Sequence, residues 1–212
     1  HTVVLSSVSP NKFISYLQLN FNEISLVGYG KSIEIFKQVG NPKDVVERFN
    51  LKKLSGSHGI GHTRMATESA ITTDGSHPYS TGEDECLVHN GSLSNHNNLR
   101  RDLVKKGNLF KSENDTEVAA GYISRNLLNK KSLKETLTDG LNDLDGFYTF
   151  ITGTKNGFAI VRDEIACKPA VVAETNDYVA IASEFQAMAN LPKVNSAKIF
   201  EPEPGIVYSW VN

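Results

Sequence analysis

Cysteine is scarce in this sequence, with 2 in 212 residues, as are methionine (2) and tryptophan (1). Two cysteines far apart make no disulfide framework, and a reducing, cytoplasmic setting suits them better than an oxidising one. Excess charge is also missing. The 22 Lys and Arg stand against 24 Asp and Glu, a net charge of −2, which gives no electrostatic ground for nucleic-acid or anionic-membrane binding. No apolar run approaches the roughly 20 residues of a membrane span. The first residues lack the basic leader of a signal peptide. Internal repeats, low-complexity tracts and linkers are absent too. What is left, 39% hydrophobic and 22% charged, describes one globular domain over residues 1–212 with enough length for a core.

The polar signals concentrate between Gly59 and Asp115. The residues Ile60 to Arg64 have the pattern of a short strand that delivers Arg64 near its end. An arginine there can pair with a carboxylate through two charge-assisted bonds, and Thr67 can add a hydroxyl to the same anion. Leu87-Val88 is an apolar strand core running into His89-Asn90-Gly91, where glycine after asparagine predicts a sharp turn. The Asn90 amide and the Gly91 N–H then aim at one point, the composition of an oxyanion hole. Asp115 falls in the first turn of a helix, where a carboxylate stays ionised and can receive an ammonium group. An α-amino acid attacked at its side-chain carbonyl needs all three binders. The set lacks a nucleophile.

Around this stretch the periodicity predicts strands and helices in alternation. Residues 1–50 form a scaffold without chemistry of its own. It holds a strand over 2–7, a helix over 9–19 started by Ser9-Pro10 with Phe13, Ile14 and Leu17 on one face, a hairpin of strands 24–29 and 32–39, and a short helix over 41–49. Residues 52–57 are a polar link and 72–85 a loop. Ser94 is expected to cap a helix to about Lys106, bearing Leu99, Leu103 and Val104. Asn114 and Glu117 form a capping box for a helix to Leu128, and Ser132 starts another that ends near Gly140. Strands at 147–152 and 158–161 flank a Lys155-Asn156-Gly157 turn. Further strands fall at 170–173, 178–182 and 206–210, with a helical turn from Ser183-Glu184 that holds Met188. By itself this pattern gives α+β.

Gly61-His62-Thr63-Arg64, Ala66-Thr67, His89-Asn90-Gly91 and Asn114-Asp115-Thr116-Glu117 resemble the glutaminase domain of class II glutamine amidotransferases, which are N-terminal-nucleophile hydrolases. The longer stretches Arg64 to Ala70, Leu87 to Asn97, Asp143 to Phe147 and Ile165 to Ala170 are similar to the amidotransferase-like subunit of N-methylglutamate synthase and its glutamate-synthase-like relatives. The resemblance implies an αββα four-layer sandwich. It implies L-glutamine as substrate, with Arg64 and Thr67 on the α-carboxylate, Asp115 on the α-amino group, and Asn90 with the Gly91 N–H on the oxyanion. It also implies partner subunits carrying flavin and iron–sulfur centres, for which this chain has no motif of its own.

In that family the nucleophile is a cysteine at the mature N-terminus, and neither it nor the Arg-Gly-x-Asp-Ser segment that follows is found here. The expectation is a domain without its first strand and helix, inactive by itself and completed by the cysteine-bearing segment, supplied as a separate chain or by other means. An alternative is a non-catalytic amino-acid-binding subunit serving assembly or regulation. Taken singly, each site residue has an ordinary structural reading: Arg64 as a strand-end ion pair, Asp115 as a helix-start carboxylate, Asn90-Gly91 as a turn. Cys86 reads as a small buried hydrophobe; beside Lys168-Pro169, Cys167 reads as a reactive thiol, whereas the resemblance makes it structural. His58 and His62 are four apart, but their flanking glycines oppose the helix that would align them on a metal. Asp143 and Asp145 lack the later carboxylate of a calcium loop.

Overall fold

The computed structural model describes residues 8–21, 23–63 and 71–211. The expected strand over 2–7 lies outside them, as do Arg64 and Thr67. Two sheets and five helices organise the described chain. A four-stranded antiparallel sheet has the order β1 (Glu85–Leu93), β2 (Gly146–Thr154), β3 (Gly157–Arg162) and β7 (Tyr208–Val211). A three-stranded sheet has β4 (Val171–Glu174) between β5 (Val179–Ala182) and β6 (Lys198–Phe200). The class is the expected α+β.

The main core lies between the four-stranded sheet and three helices: α3 (His96–Lys105), α4 (Asp115–Leu128) and α5 (Leu133–Asp143). Strand alternation sends Leu87 and Leu93 of β1, Tyr148 and Phe150 of β2, and Ala159 and Val161 of β3 to the helical side. There they meet Val118, Tyr122 and Ile123 of α4 and Leu137 of α5. Every residue from Thr116 to Ser124 is buried, so α4 is the central member of its layer. On the opposite sheet face, Ile60 packs over Gly153. A smaller core of Ala173, Met188 and Val194 lies under the second sheet. Trp210 Nε1 of β7 donates to Glu174 Oε1 of β4 at 3.1 Å.

Local signals account for most helix starts. Pro10 and Pro42 occupy first-turn positions of α1 (Pro10–Asn20) and α2 (Pro42–Arg48), where a missing N–H costs nothing. Ser132 and Glu135 close a full capping box on α5, which continues to Asp143 rather than stopping near Gly140. The Asn156-Gly157 turn joins β2 to β3 as expected, and Met188 is buried beside a 3₁₀ turn over Phe185–Ala187.

Several expectations are corrected. Residues 24–29 and 32–39 form no hairpin. The N–H groups of Lys31, Ser32 and Ile33, which a ladder would use, all donate to Asp84 Oδ1 at 2.8, 2.8 and 3.2 Å. Gly30, at φ 149°, permits this, since a Cβ there would stand 2.0 Å from the same oxygen. Residues 60–63 belong to neither sheet. Ser94 does not cap α3; its hydroxyl bonds to Asp145, and Asn95 ties to the Asp143 carbonyl at 2.9 Å. Glu117 does not close a box with Asn114. Its carboxylate takes the N–H groups of Lys111 and Ser112 and the Ser112 hydroxyl, while Asn114 alone accepts from Thr116 N–H. Val104 is exposed, as is Cys167, so Cys167 is not a packed structural residue.

Candidate active site

The largest correction concerns Asn90-Gly91. There is no turn: β1 runs straight through to Leu93, paired residue by residue with β2, with Asn90 opposite Thr149 and Gly91 opposite Tyr148. The ladder overrides the local Asn-Gly signal. Glycine is still required, for a different reason. Gly91 has φ 142°, and a Cβ would lie 2.0 Å from the Phe147 carbonyl oxygen and 2.8 Å from Tyr148 Cα.

The outer edge of β1 shows what this leaves. Leu87 and Tyr79 exchange both backbone hydrogen bonds, at 2.9 and 2.8 Å, so the peptide groups of Leu87 face away from β2. Alternation along an antiparallel strand then turns the N–H groups of His89, Gly91 and Leu93 outward as well. His89 N–H donates to His77 Nδ1 at 3.4 Å and Leu93 N–H to Asp115 Oδ2 at 2.9 Å. Tyr148, opposite Gly91, directs its own N–H and C=O to Asp163. The Gly91 N–H is thus left on the open edge, without a partner among the described residues. Asn90 beside it is exposed.

Asp115 is the first residue of α4, held there by the Asn114 cap. Besides Leu93 N–H, its carboxylate has the Thr116 hydroxyl at 3.4 Å and His89 Nδ1 at 3.7 Å from Oδ1. A carboxylate has about four acceptor sites, so an incoming ammonium can still be received. Three of the five expected site residues therefore come together: Asn90 and Gly91 on one strand, and Asp115 fastened to that strand two residues on. Arg64 and Thr67 lie outside the described residues; His62 and Thr63 line a large cleft of about 1170 Å³ with His77 and Cys86. Neither Asn90, Gly91 nor Asp115 lines that cleft.

His89 lies beside these residues, and the sequence motif includes it without giving it a role. It is buried, with Nδ1 3.0 Å from Thr116 Oγ1 and its ring edge-on to Phe150. Burial pushes its imidazole down to about 4; Asp115 pulls the other way, while His62 and Lys168 add to the lowering. The ring is therefore neutral at ordinary pH, and its buried Nε2 has no hydrogen-bond partner among the described residues. The signal was available: strand alternation places His89 on the same face as Leu87 and Leu93. No group of three His, Cys, Asp or Glu side chains is arranged for a metal ion among the described residues. Cys86 is buried and its thiol is pushed up to about 12, first by burial and then by Glu85.

The sheet edge thus brings a backbone donor without a partner among the described residues close to a helix-start carboxylate. Comparisons with known proteins give the family. Residues 62–190 match the glutamine amidotransferase domain family, and the chain belongs to that family, in its class II branch. It is similar to the glutamine amidotransferase-like protein GlxB of Rhizobium meliloti, 61% identical over 188 residues that cover 89% of this chain and 62% of that protein. It is also similar to the amidophosphoribosyltransferase of Methanocaldococcus jannaschii, 31% identical over 83% of this chain and 37% of that one. Among solved structures, the B. subtilis glutamine phosphoribosylpyrophosphate amidotransferase superposes with a TM-score of 0.69 at 26% identity, covering 87% of this chain and 41% of that one. The chain thus spans about three fifths or less of the length of these relatives. No helix among the described residues is long and apolar enough to cross a membrane.

Proposed function

We propose that this chain forms the L-glutamine site of a glutamine amidotransferase, and that the reaction is attack of a cysteine thiolate on the glutamine side-chain carbonyl. In this reading a C–S bond forms as the carbonyl oxygen becomes an oxyanion, which the Gly91 N–H and the Asn90 amide stabilise. Collapse breaks the C–N bond, the nitrogen leaves as ammonia with the proton the thiol gave up on ionising, and water then cleaves the remaining thioester to glutamate and the thiol. Asp115 holds the α-ammonium group, and Arg64 and Thr67 hold the α-carboxylate. The observation that carries the proposal is the lone outward N–H of Gly91, two residues from the N–H that Asp115 accepts.

Neither cysteine in the chain is the nucleophile in this reading. Cys86 is buried, with its thiol pushed up to about 12, and Cys167 lies exposed in the segment after β3. The thiolate is the family's N-terminal cysteine, contributed from beyond these 212 residues. On the motif resemblance we further propose that the protein serves a glutamate-synthase-like or N-methylglutamate-synthase-like complex, whose flavin and iron–sulfur subunits receive the ammonia or glutamyl group.

Glutamate release from glutamine by the full-length protein, with its native partners present, tests the proposal. Asn90→Ala should lower kcat by about 10²–10³, the effect of removing one oxyanion donor. Undiminished turnover in that variant rejects the assignment. Co-purification that recovers no flavoprotein rejects the complex alone.

A further inference from the structure

A second cleft, of about 410 Å³, is bounded by residues 25–29, the loop at Asp74 and Tyr79, and the chain leading from Asn108 into α4. None of Asn90, Gly91 and Asp115 lines it. Lys37 and Lys111 both do. Lys37 Nζ sits 4.5 Å over the Tyr79 ring and donates to the Asp74 carbonyl at 3.2 Å. Lys111 Nζ donates to the Leu26 carbonyl at 2.8 Å. An ammonium group has three protons to donate, and each of these has one placed. No carboxylate oxygen lies within ion-pairing distance of either nitrogen among the described residues. Burial lowers both lysines, Lys37 to about 8, and outweighs the pull of Asp74 and Glu117.

The same cleft holds unused acceptors. Asp74 Oδ1 takes the Ser25 hydroxyl at 2.7 Å, which leaves its second oxygen open among the described residues. Asn108 Oδ1 is buried without a partner. Glu117, by contrast, is saturated by three donors between 2.7 and 2.9 Å. At the rim, Arg125 is directed to the Lys106 carbonyl.

The two lysines and the two carboxylates balance in charge. A simple anion would gain from the lysines and be opposed by Asp74 and Glu117; a simple cation would meet the reverse. A molecule with both charges satisfies both sets. Leu26, Val27, Leu109 and Leu128 add an apolar wall. We propose that this cleft binds a free α-amino acid with an apolar side chain, its carboxylate on Lys37 and Lys111 and its ammonium on Asp74 and Asn108. The site is separate from the glutamine site and does not depend on that reading.

The test uses the full-length protein and three probes with one carbon skeleton: L-leucine, 4-methylpentanoate, which keeps only the carboxylate, and 3-methylbutylamine, which keeps only the ammonium. Calorimetry should show saturable leucine binding, with each half-ligand weaker by about tenfold or more, the equivalent of one well-made polar contact. Lys37→Met and Lys111→Met should each weaken leucine by about tenfold, while Asp115→Asn leaves it unchanged. A carboxylate reaching Lys37 restores its ammonium, so binding near pH 8 should take up protons and give a buffer-dependent heat. That measurement needs no variant. Absence of saturable leucine binding, equal binding of 4-methylpentanoate, no proton uptake, or loss of leucine binding in Asp115→Asn would each overturn the proposal.

Discussion

Asp115 and Leu93 are joined by a single hydrogen bond of 2.9 Å, from the strand N–H to the helix carboxylate. It fixes where α4 begins relative to the end of β1. Asp115→Asn keeps an oxygen to accept that N–H and removes the negative charge. The variant should therefore keep its melting temperature and lose glutamine affinity by on the order of 1–3 kcal/mol, the loss of a charge-assisted bond. Calorimetry and thermal melting on the same sample separate the two. Unchanged affinity would take Asp115 out of the site.

Gly91→Ala should be among the most damaging small substitutions in the chain. Its Cβ would meet backbone atoms at 2.0 and 2.8 Å, and the φ of 142° suits glycine alone. Neither obstacle can be relieved by a side-chain rotation, so a loss of about 3 kcal/mol or more is expected. Denaturant unfolding measures it, with Ser92→Ala, exposed and adjacent, as the neutral control.

Two buried groups set opposing pH dependences. Burial raises Glu85 from 4.5 to about 7, against the lowering effect of its bonds from Thr81 and Gly82 N–H. The folded state then holds the proton more tightly than the unfolded state, so this contribution is full below 4.5 and is lost as pH rises to about 7. His89 falls from 6.5 to about 4. Here the unfolded state takes the proton first, so stability is full above 6.5 and is lost as pH falls towards 4. In the unmodified protein the slopes should largely cancel between 4.5 and 6.5. Glu85→Gln should uncover the His89 slope, with stability rising from pH 4 to 6.5, and should raise the melting temperature at pH 8. A Glu85→Gln melting profile parallel to that of the unmodified protein contradicts the assignment.

Asp84→Ala removes the acceptor shared by three consecutive N–H groups. Hydrogen exchange at Lys31, Ser32 and Ile33 should accelerate by about 10²-fold or more, the equivalent of one charge-assisted bond or two. Exchange in α4, which shares none of these bonds, should stay slow.

Where a structure depends on neighbours in sequence, it was legible. Pro10, Pro42, the Ser132–Glu135 box and Asn156-Gly157 each act within a few residues, and each marks its element. The misreadings occur where a distant group takes the local partner. Gly28-Tyr29-Gly30 looks like a hairpin turn until Asp84, more than 50 residues on, claims the amides after it. Asn90-Gly91 looks like a turn until β2 pairs across it. Lys198–Phe200 is a three-residue strand, too short for alternation to reveal. In the candidate site, the nearness of Asn90, Gly91 and Asp115 was expected from the sequence, but the free edge donor was not. It follows from which neighbours Leu87, His89 and Leu93 bond to, and two of those neighbours lie in the loop before β1.

A strand with an open edge is normally a template on which a further strand can grow. Along β1 the outward amides of Leu87, His89 and Leu93 end on a loop carbonyl, an imidazole and a helix carboxylate. Tyr79 meets Leu87 only as an isolated bridge, and among the described residues none of these partners belongs to a named strand, so the ladder is not continued through them and a single outward amide of β1 is left. The contacts that isolate the Gly91 amide thereby also protect the protein from edge-to-edge polymerisation. A lone outward amide and a guard against strand addition are, at this edge, the same arrangement of bonds.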